Sequence, residues 1–182
     1  MSKLNLALLA GGNSSAREIS LLGAAQVFEA LDKSKYNFTQ YDPKTDIPKL
    51  VNDAPAIDVA LIIMHGAYGE DGRIQGLLDC LGIPYQGSGV LGSAVAMNKL
   101  TAKHLYDQAG LPGARYVVAR KNTPNACVNL ENELGLPLVI KHASAGSSVG
   151  VTIVQNACDV AEALKRAFAE DDLVLVEECI KG

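Results

Sequence analysis

The sequence predicts an α/β protein with a parallel sheet in its first half and a smaller α+β region in its second half. Residues 4–10 form a short apolar run that ends at Gly11 and Gly12 and leads into a helix-spaced segment, which is the opening of a βαβ unit. Residues 59–64 form a continuous apolar run, typical of a strand buried in a parallel sheet. From Ala114 onward short strand-like runs alternate with two short helical patterns.

The composition and charge of the chain argue against several classes of protein. The chain has 182 residues, 48% hydrophobic and 20% charged, in the range of a soluble globular protein. A net charge of −4 argues against a nucleic-acid binder that uses a broad basic surface. The apolar start is too short for a membrane span, which needs roughly 20 residues, or for a signal peptide. The widely spaced Cys80, Cys127, Cys158 and Cys179 form no CxxC pair, so we expect free thiols and a cytoplasmic protein.

Each element of the first half is predicted from hydrophobic periodicity and from the residues, such as glycine and proline, that end helices and strands. The segment 18–33 has helical spacing in Ile19, Leu22, Ala25, Val27, Phe28 and Leu31. The glycine pair before it lacks the offsets of a GxGxxG fingerprint, which disfavours a nicotinamide dehydrogenase. The further predicted elements are strands at 36–41, 59–64 and 83–86, a short helix at 47–51, a helix that ends before Gly82, and a helix at 94–109.

The pattern of the second half predicts a mixed region of strands and helices. Its amphipathic helix at 159–169 carries Val160, Leu164 and Phe168 at i, i+4 and i+8. The remaining predicted elements are strands at 116–119, 138–140, 149–154 and 173–176 and a short helix at 130–134.

A polar loop follows the strand at 59–64. It holds His65, Glu70, Asp71 and Arg73 among several glycines and then enters a helix, for which Asp71 is a candidate N-cap. In open α/β sheets ligands bind outside the carboxyl ends of the strands, which makes this loop a candidate site. The alternative is a glycine-rich turn with a solvated charge cluster.

A second candidate site lies at PLVIKHASAGSSVGV, residues 137–151. Here a strand leads to Lys141, a glycine-serine loop and another strand, an arrangement that can lay backbone N–H groups and an ammonium over phosphates. The lysine precedes the loop, so this is no Walker P-loop, and an ordinary hairpin is the alternative. Lys99 offers a second cation. Glu177 and Glu178 lie at the end of a strand, where they could contact an adenine base; the alternative is that they form a solvated acidic edge.

Four segments together resemble the D-alanine–D-alanine ligases, which are ATP-grasp enzymes. They are LLAGGNSSAREISL (8–21), MHGAYGEDGRIQGLLDCLGIPYQGSGVLGSAVAMNKLTAK (64–103), VIKHASAGSSVGV (139–151) and VLVEECIKG (174–182). The resemblance implies a Rossmann-like pre-ATP-grasp domain over 1–98 and the small ATP-binding subdomain of an ATP-grasp fold over 99–182. It implies that ATP activates one D-alanine as an acyl phosphate, which the amine of a second D-alanine attacks, for peptidoglycan precursor synthesis.

The resemblance also implies roles for individual residues. Lys99 and Lys141 would hold the ATP phosphates, and the flap with Ser147 and Ser148 would cover them and the reacting centre. His65 would lie by the carboxylate of the first D-alanine. Mg²⁺ would accompany ATP, and a homodimer is expected. The remaining implied contacts are to the adenine region, from Glu177, Glu178 and Ile180, and to the first substrate, from Glu18.

Two departures from the family pattern qualify these implications. Ala16 stands where the family usually has a glutamate that binds the amino group of the first substrate, so Glu18 or another acid would have to compensate, or the substrate differs. The sequence also stops before the family's C-terminal domain with its Mg²⁺ ligands, so we expect no metal site in this chain and no activity from it alone. The alternatives are a non-catalytic nucleotide-binding module and an ATP-grasp ligase for another small carboxylate.

Overall fold

A computed structural model of the chain describes residues 3–123, 130–144, 146 and 150–181. The chain divides into two compact units, Met1–Val95 and Ala96–Gly182. The predicted fold class is confirmed, because the first unit contains a parallel sheet and the second an antiparallel one. None of the helices in the described residues is long and apolar enough to cross a membrane.

The first unit is built on a three-stranded parallel sheet in the order β2-β1-β3. Its central strand pairs on both sides, so that Leu6 lies opposite Phe38 and Val59. Because this strand is covered on both faces, Ala7, Leu8 and Leu9 are fully buried. The elements are β1 (Leu4–Leu9), α1 (Arg17–Ala30), β2 (Tyr36–Tyr41), α2 (Ile47–Asp53), β3 (Val59–Ile62), α3 (Arg73–Leu81) and α4 (Val90–Met97), whose last two residues belong to the second unit.

Helix α1 lies where the sequence predicts a helix, but its apolar stripe is not the buried face. Ile19 and Leu22 are 62% and 67% exposed, whereas Ser20 and Ala24 are fully buried. A Cβ atom at Gly23 would lie 3.1 Å from Ile63 Cγ2, so the helix approaches the end of β3 closely. This close approach favours small side chains at Ser20, Gly23 and Ala24, while the larger Leu21 and Val27 pack beside the sheet and are only partly buried.

The helix predicted over 94–109 is two helices. Helix α4 ends at Met97, and α5 (Lys99–Gln108) begins after a single intervening residue. Asn98 has an extended backbone between them, and its side chain accepts a hydrogen bond from the Thr101 N–H at 2.9 Å. The continuous prediction was wrong because an asparagine that caps a helix can also be read as an interior helical residue.

Two smaller predictions in the first unit are also wrong. Asp71 is not the N-cap of α3: Gly72 occupies that position with φ +90°, and a Cβ there would lie 2.7 Å from the Val90 carbonyl oxygen. The Asp71 carboxylate still accepts a bond from the Arg73 N–H at 3.2 Å. The strand predicted at 83–86 is reduced to a single bridge between Ala60 and Tyr85.

The second unit contains a four-stranded antiparallel sheet in the order β4-β7-β5-β6. The strands predicted on the two sides of the loop after Lys141 pair as antiparallel β5 and β6, with Leu138 opposite Val154. Val149, the first residue of the strand predicted at 149–154, lies outside the described residues. The elements after α5 are β4 (Tyr116–Arg120), α6 (Leu130–Leu134), β5 (Leu138–His142), β6 (Thr152–Val154), α7 (Val160–Glu170) and β7 (Leu173–Glu178).

The core of the second unit lies on one face of this sheet. Ile140 and Val176 pack there with Leu164 of α7, and Phe168 covers the cluster at its margin. Since side chains alternate along a strand, the residues between these core positions point to the opposite face. That second face carries the polar groups described next.

Candidate functional site

Lys141 lies near the end of β5, on the sheet face opposite the core. Its neighbours Ile140 and His142 point to the other face and are buried. The Lys141 Nζ donates a hydrogen bond to Glu177 Oε2 at 2.5 Å, across the β5–β7 pairing. The predicted phosphate-binding lysine therefore meets one of the carboxylates predicted for the adenine region.

Glu177 is a buried carboxylate shared by two lysines. Its side chain is only 6% exposed, and Lys103 Nζ lies 3.3 Å from Oε1 while Lys141 holds Oε2. Buried carboxylates require such pairing, because an ion without a partner is strongly disfavoured in a protein interior. No role for Lys103 is predicted from the sequence, since nothing in it indicates which element this helix faces.

Lys99 brings a further positive charge to the same region. It is the first residue of α5, and its backbone N–H donates to the Ala143 carbonyl at 2.9 Å, just beyond the end of β5. Burial and the nearby charge of Lys141 lower the pKa of Lys99, while Glu177 and Asp171 act in the opposite direction. Because the Lys99 backbone bonds to Ala143, two residues after Lys141, both lysines stand at the same end of β5, and their positive charges favour an anion such as a phosphate group.

Glu178 does not join this cluster, although it follows Glu177 directly. Consecutive strand residues face opposite sides of the sheet, and Glu178 binds Arg115, whose Nε lies 2.8 Å from Oε2. The Arg115 backbone N–H and guanidinium lower the pKa of Glu178. The same guanidinium donates to the Glu133 and Leu134 carbonyls, so this contact ties α6 to β7. Strand alternation was the signal in the sequence that could have separated the two glutamates.

The other residues predicted around the nucleotide are only partly described. Ser147 and Ser148 lie outside the described residues, and Ile180 is exposed beyond β7. Gly150 has φ +74°, and a Cβ atom there would overlap the His142 ring. Only glycine fits this position, because the chain returns from the loop directly over the imidazole.

In the first unit, His65 follows β3 at the carboxyl end of the sheet. Its carbonyl accepts a hydrogen bond from Ser14 Oγ at 2.7 Å, which joins the loop after β3 to the loop after β1. Glu70 accepts a bond from the Gly66 N–H at 2.5 Å and places Oε1 3.6 Å from His65 Nδ1. Glu18 is exposed in the first turn of α1 and takes part in none of these contacts.

An ion pair that was not predicted from the sequence lies at the same edge of the sheet. Asp42, directly after β2, lies 2.5 Å from the Arg17 guanidinium and accepts the Gly12 and Lys44 N–H groups at 2.9 Å. Burial raises the pKa of Asp42, but these donors outweigh it and lower the pKa to about 2. The position of Asp42 after a strand was the signal that could have indicated it.

A cavity of about 240 Å³ opens beside this ion pair. Gly12 and Met64 line it from the strand ends, and the guanidinium of Arg73 stacks on the Tyr68 ring at 4.5 Å at its rim. Apolar side chains such as Ile74 and Leu77 form part of its wall, and Asn13 and Arg73 add polar groups. Among the described residues, no three His, Cys, Asp or Glu side chains come together as a metal site.

Comparisons with known proteins agree with these features. The family model described as "D-ala D-ala ligase N-terminus" matches residues 42–88, and the one described as "D-ala D-ala ligase C-terminus" matches residues 105–182. A D-alanine–D-alanine ligase from Syntrophobacter fumaroxidans is 52% identical over 180 residues, which are 99% of this chain and 58% of that protein. Its counterpart from Desulfotalea psychrophila is 48% identical over 181 residues, again 99% of this chain and 56% of the relative.

Solved structures show the same relationship. The crystal structure of a D-alanine–D-alanine ligase from Bacillus anthracis complexed with ATP matches with a TM-score of 0.86 and 33% sequence identity. The match covers 98% of this chain and 60% of that one. The chain therefore spans just over half the length of the relatives it matches.

Proposed function

Because the chain belongs to the D-alanine–D-alanine ligase family, we propose that it serves the ATP-dependent ligation of two D-alanines for peptidoglycan precursor synthesis. The observation that carries the proposal is the lysine cluster of the second unit, where Lys141 pairs with the buried Glu177 and the Lys99 backbone N–H bonds to Ala143, two residues beyond Lys141. A relative of this chain was crystallised with ATP, which supports ATP as the anion that the cluster holds.

The chemistry of the proposed reaction needs groups of this kind. One D-alanine carboxylate attacks the γ-phosphorus of ATP, so ADP leaves and an acyl phosphate forms. The amine of a second D-alanine attacks the acyl carbon, and inorganic phosphate leaves as the peptide bond forms. Phosphoryl transfer is promoted mainly by positioning the phosphates and neutralising their charge, which is the proposed role of Lys99 and Lys141.

We further propose how the other predicted residues contribute. Within a domain of residues 1–98, His65 would contact the carboxylate of the first D-alanine and Glu18 its amino group. Within 99–182, Ser147 and Ser148 would cover the phosphates. The adenine would meet Glu177 and Ile180, and Glu178 would contribute less through its side chain because that side chain binds Arg115.

Mg²⁺ is expected to accompany ATP in this reaction, but no ligand for it is assigned to the described residues of this chain. A homodimer is proposed on the family resemblance alone. Because the reaction consumes ATP, its expected place is the cytoplasm.

A second candidate function is favoured by one residue. Ala16 cannot pair with a substrate ammonium where the family usually has a glutamate, so a small carboxylate other than D-alanine is the alternative first substrate. To decide, the chain would be joined to the part of the Syntrophobacter fumaroxidans relative that the match does not cover. Phosphate release by this fusion would be measured with D-alanine, other D-amino acids and D-hydroxy acids. Release driven best by a D-hydroxy acid would contradict the D-alanine assignment.

Isothermal titration of this chain with a non-hydrolysable ATP analogue tests the nucleotide site. We expect Lys141→Ala to weaken binding by at least about 100-fold, since it removes a cation that contacts phosphate directly. The matched control is Lys165→Ala, because Lys165 is 81% exposed on α7 and should leave affinity unchanged. Equal affinity of the Lys141→Ala variant and the unaltered chain would refute the role of Lys141.

A further inference from the structure

Lys103 is held in place by three contacts within the second unit. It follows Lys99 by one helical turn, on the same side of α5. Its Nζ donates to the Ala114 carbonyl at 3.0 Å, lies over the Tyr116 ring at 4.6 Å from the centroid, and approaches Glu177 Oε1 at 3.3 Å. With a side chain only 15% exposed, Lys103 is a fixed structural cation rather than a mobile surface charge.

The two cations on Glu177 differ in what else holds them. Lys103 has a carbonyl and an aromatic ring as additional partners. Lys141 lies near the end of β5, beside the hairpin loop proposed to cover the phosphates, and among the described residues its ammonium donates a hydrogen bond to Glu177 alone. When Lys141 engages a phosphate, it must share its ammonium between Glu177 and the ligand or leave Glu177 altogether.

A buried carboxylate that loses its counter-ion is strongly disfavoured, so the release of Lys141 would be opposed if it were the sole partner of Glu177. Lys103 reduces the free-energy cost of this release, since it remains paired with the other carboxylate oxygen of Glu177. We infer that Lys103 is a positioning residue, which keeps Glu177 paired and in place while Lys141 turns to the nucleotide. The inference rests on the proposed nucleotide site and extends it by one residue that does not itself touch the nucleotide.

A double-mutant cycle on nucleotide affinity tests this inference. The affinity for the non-hydrolysable ATP analogue would be measured for the unaltered chain, Lys103→Gln, Glu177→Gln and the double variant. Gln can still donate to the Ala114 carbonyl, so this substitution removes the charge while it keeps the structural hydrogen bond. We expect Lys103→Gln to weaken binding about 10-fold in the unaltered background and less than about 2-fold when Glu177 is already Gln, because charge pairs in contact are energetically coupled.

A purely structural lysine would give a different pattern. If Lys103→Gln weakens binding equally in both backgrounds, Lys103 acts through Ala114 and Tyr116, and the inference is wrong. It is also wrong if the substitution changes affinity in neither background. Lys103→Arg keeps the positive charge and is expected to bind more tightly than Lys103→Gln, and its failure to do so would count against a role of the charge.

The two proposals can be told apart by the unaltered chain. If it does not bind the analogue, the nucleotide site fails and the inference about Lys103 fails with it. If it binds and the cycle shows no coupling, the role of Lys103 alone is refuted. Circular dichroism of all variants checks that a loss of affinity does not reflect a loss of folding.

Discussion

Replacing Asp42 by Asn is expected to destabilise the first unit in a pH-dependent manner. Asp42 accepts two backbone N–H groups and binds Arg17, and Asn cannot reproduce the ion pair. Although burial raises the pKa of Asp42, these partners lower it overall from 3.8 to about 2. A difference of this size corresponds to about 2 kcal/mol of stability in the ionised state.

The direction of the pH dependence follows from the depressed pKa. Above the unfolded value of 3.8 the full contribution of Asp42 is present, and it is lost as the pH falls through the folded value of about 2. The stability difference between the unaltered chain and Asp42→Asn should therefore be about 2 kcal/mol at pH 7. It should fall to about half of that near pH 3.

The suitable assay is hydrogen exchange measured by mass spectrometry at increasing urea concentrations. Peptides from the first unit report its stability separately from that of the second unit. Tryptophan fluorescence cannot be used, because the chain has no tryptophan. The control is Asp172→Asn, whose side chain is 85% exposed and whose loss should cost less than about 0.5 kcal/mol. Equal destabilisation of Asp42→Asn at pH 7 and pH 3 would show that ionisation of Asp42 is not the cause, and no destabilisation at pH 7 would refute the reasoning entirely.

Two further predictions concern single side chains. Ser20 Oγ accepts the Gly11 N–H at 2.8 Å and donates to the Ile63 carbonyl at 2.7 Å, so Ser20→Ala should lower the free energy of unfolding by about 1–3 kcal/mol in urea titrations. The exposed Ser15→Ala is the control, and an equal effect of the two substitutions would contradict this account. Glu177→Gln should weaken ATP-analogue binding in calorimetry clearly more than Glu178→Gln, because only Glu177 binds the lysine cluster, and the reverse order would reject the assignment of the two faces.

Local patterns in the sequence were sufficient for most of the elements. The apolar run before Gly11 forms β1, and the short helix Leu130–Leu134 has the predicted bounds. The hairpin around Lys141 also follows from local signals, because strand residues and turn residues differ in type. The helix predicted through Asn98 failed because asparagine suits both a helix interior and a helix cap.

The sequence by itself predicted the fold class from the pattern of residue types, and its resemblance to the D-alanine–D-alanine ligases indicated a family. The roles of Lys99 and Lys141 remain predictions from that resemblance. Only the tertiary structure decided which side chains meet. Lys103 and Glu177 are far apart in the chain, yet the packing of α5 on the sheet brings their charges to 3.3 Å. In the same way the close approach of α1 to the sheet buries Ser20 and leaves Ile19 exposed. Such contacts depend on how the elements pack, and the residue pattern within one helix or strand does not indicate which other element it will contact.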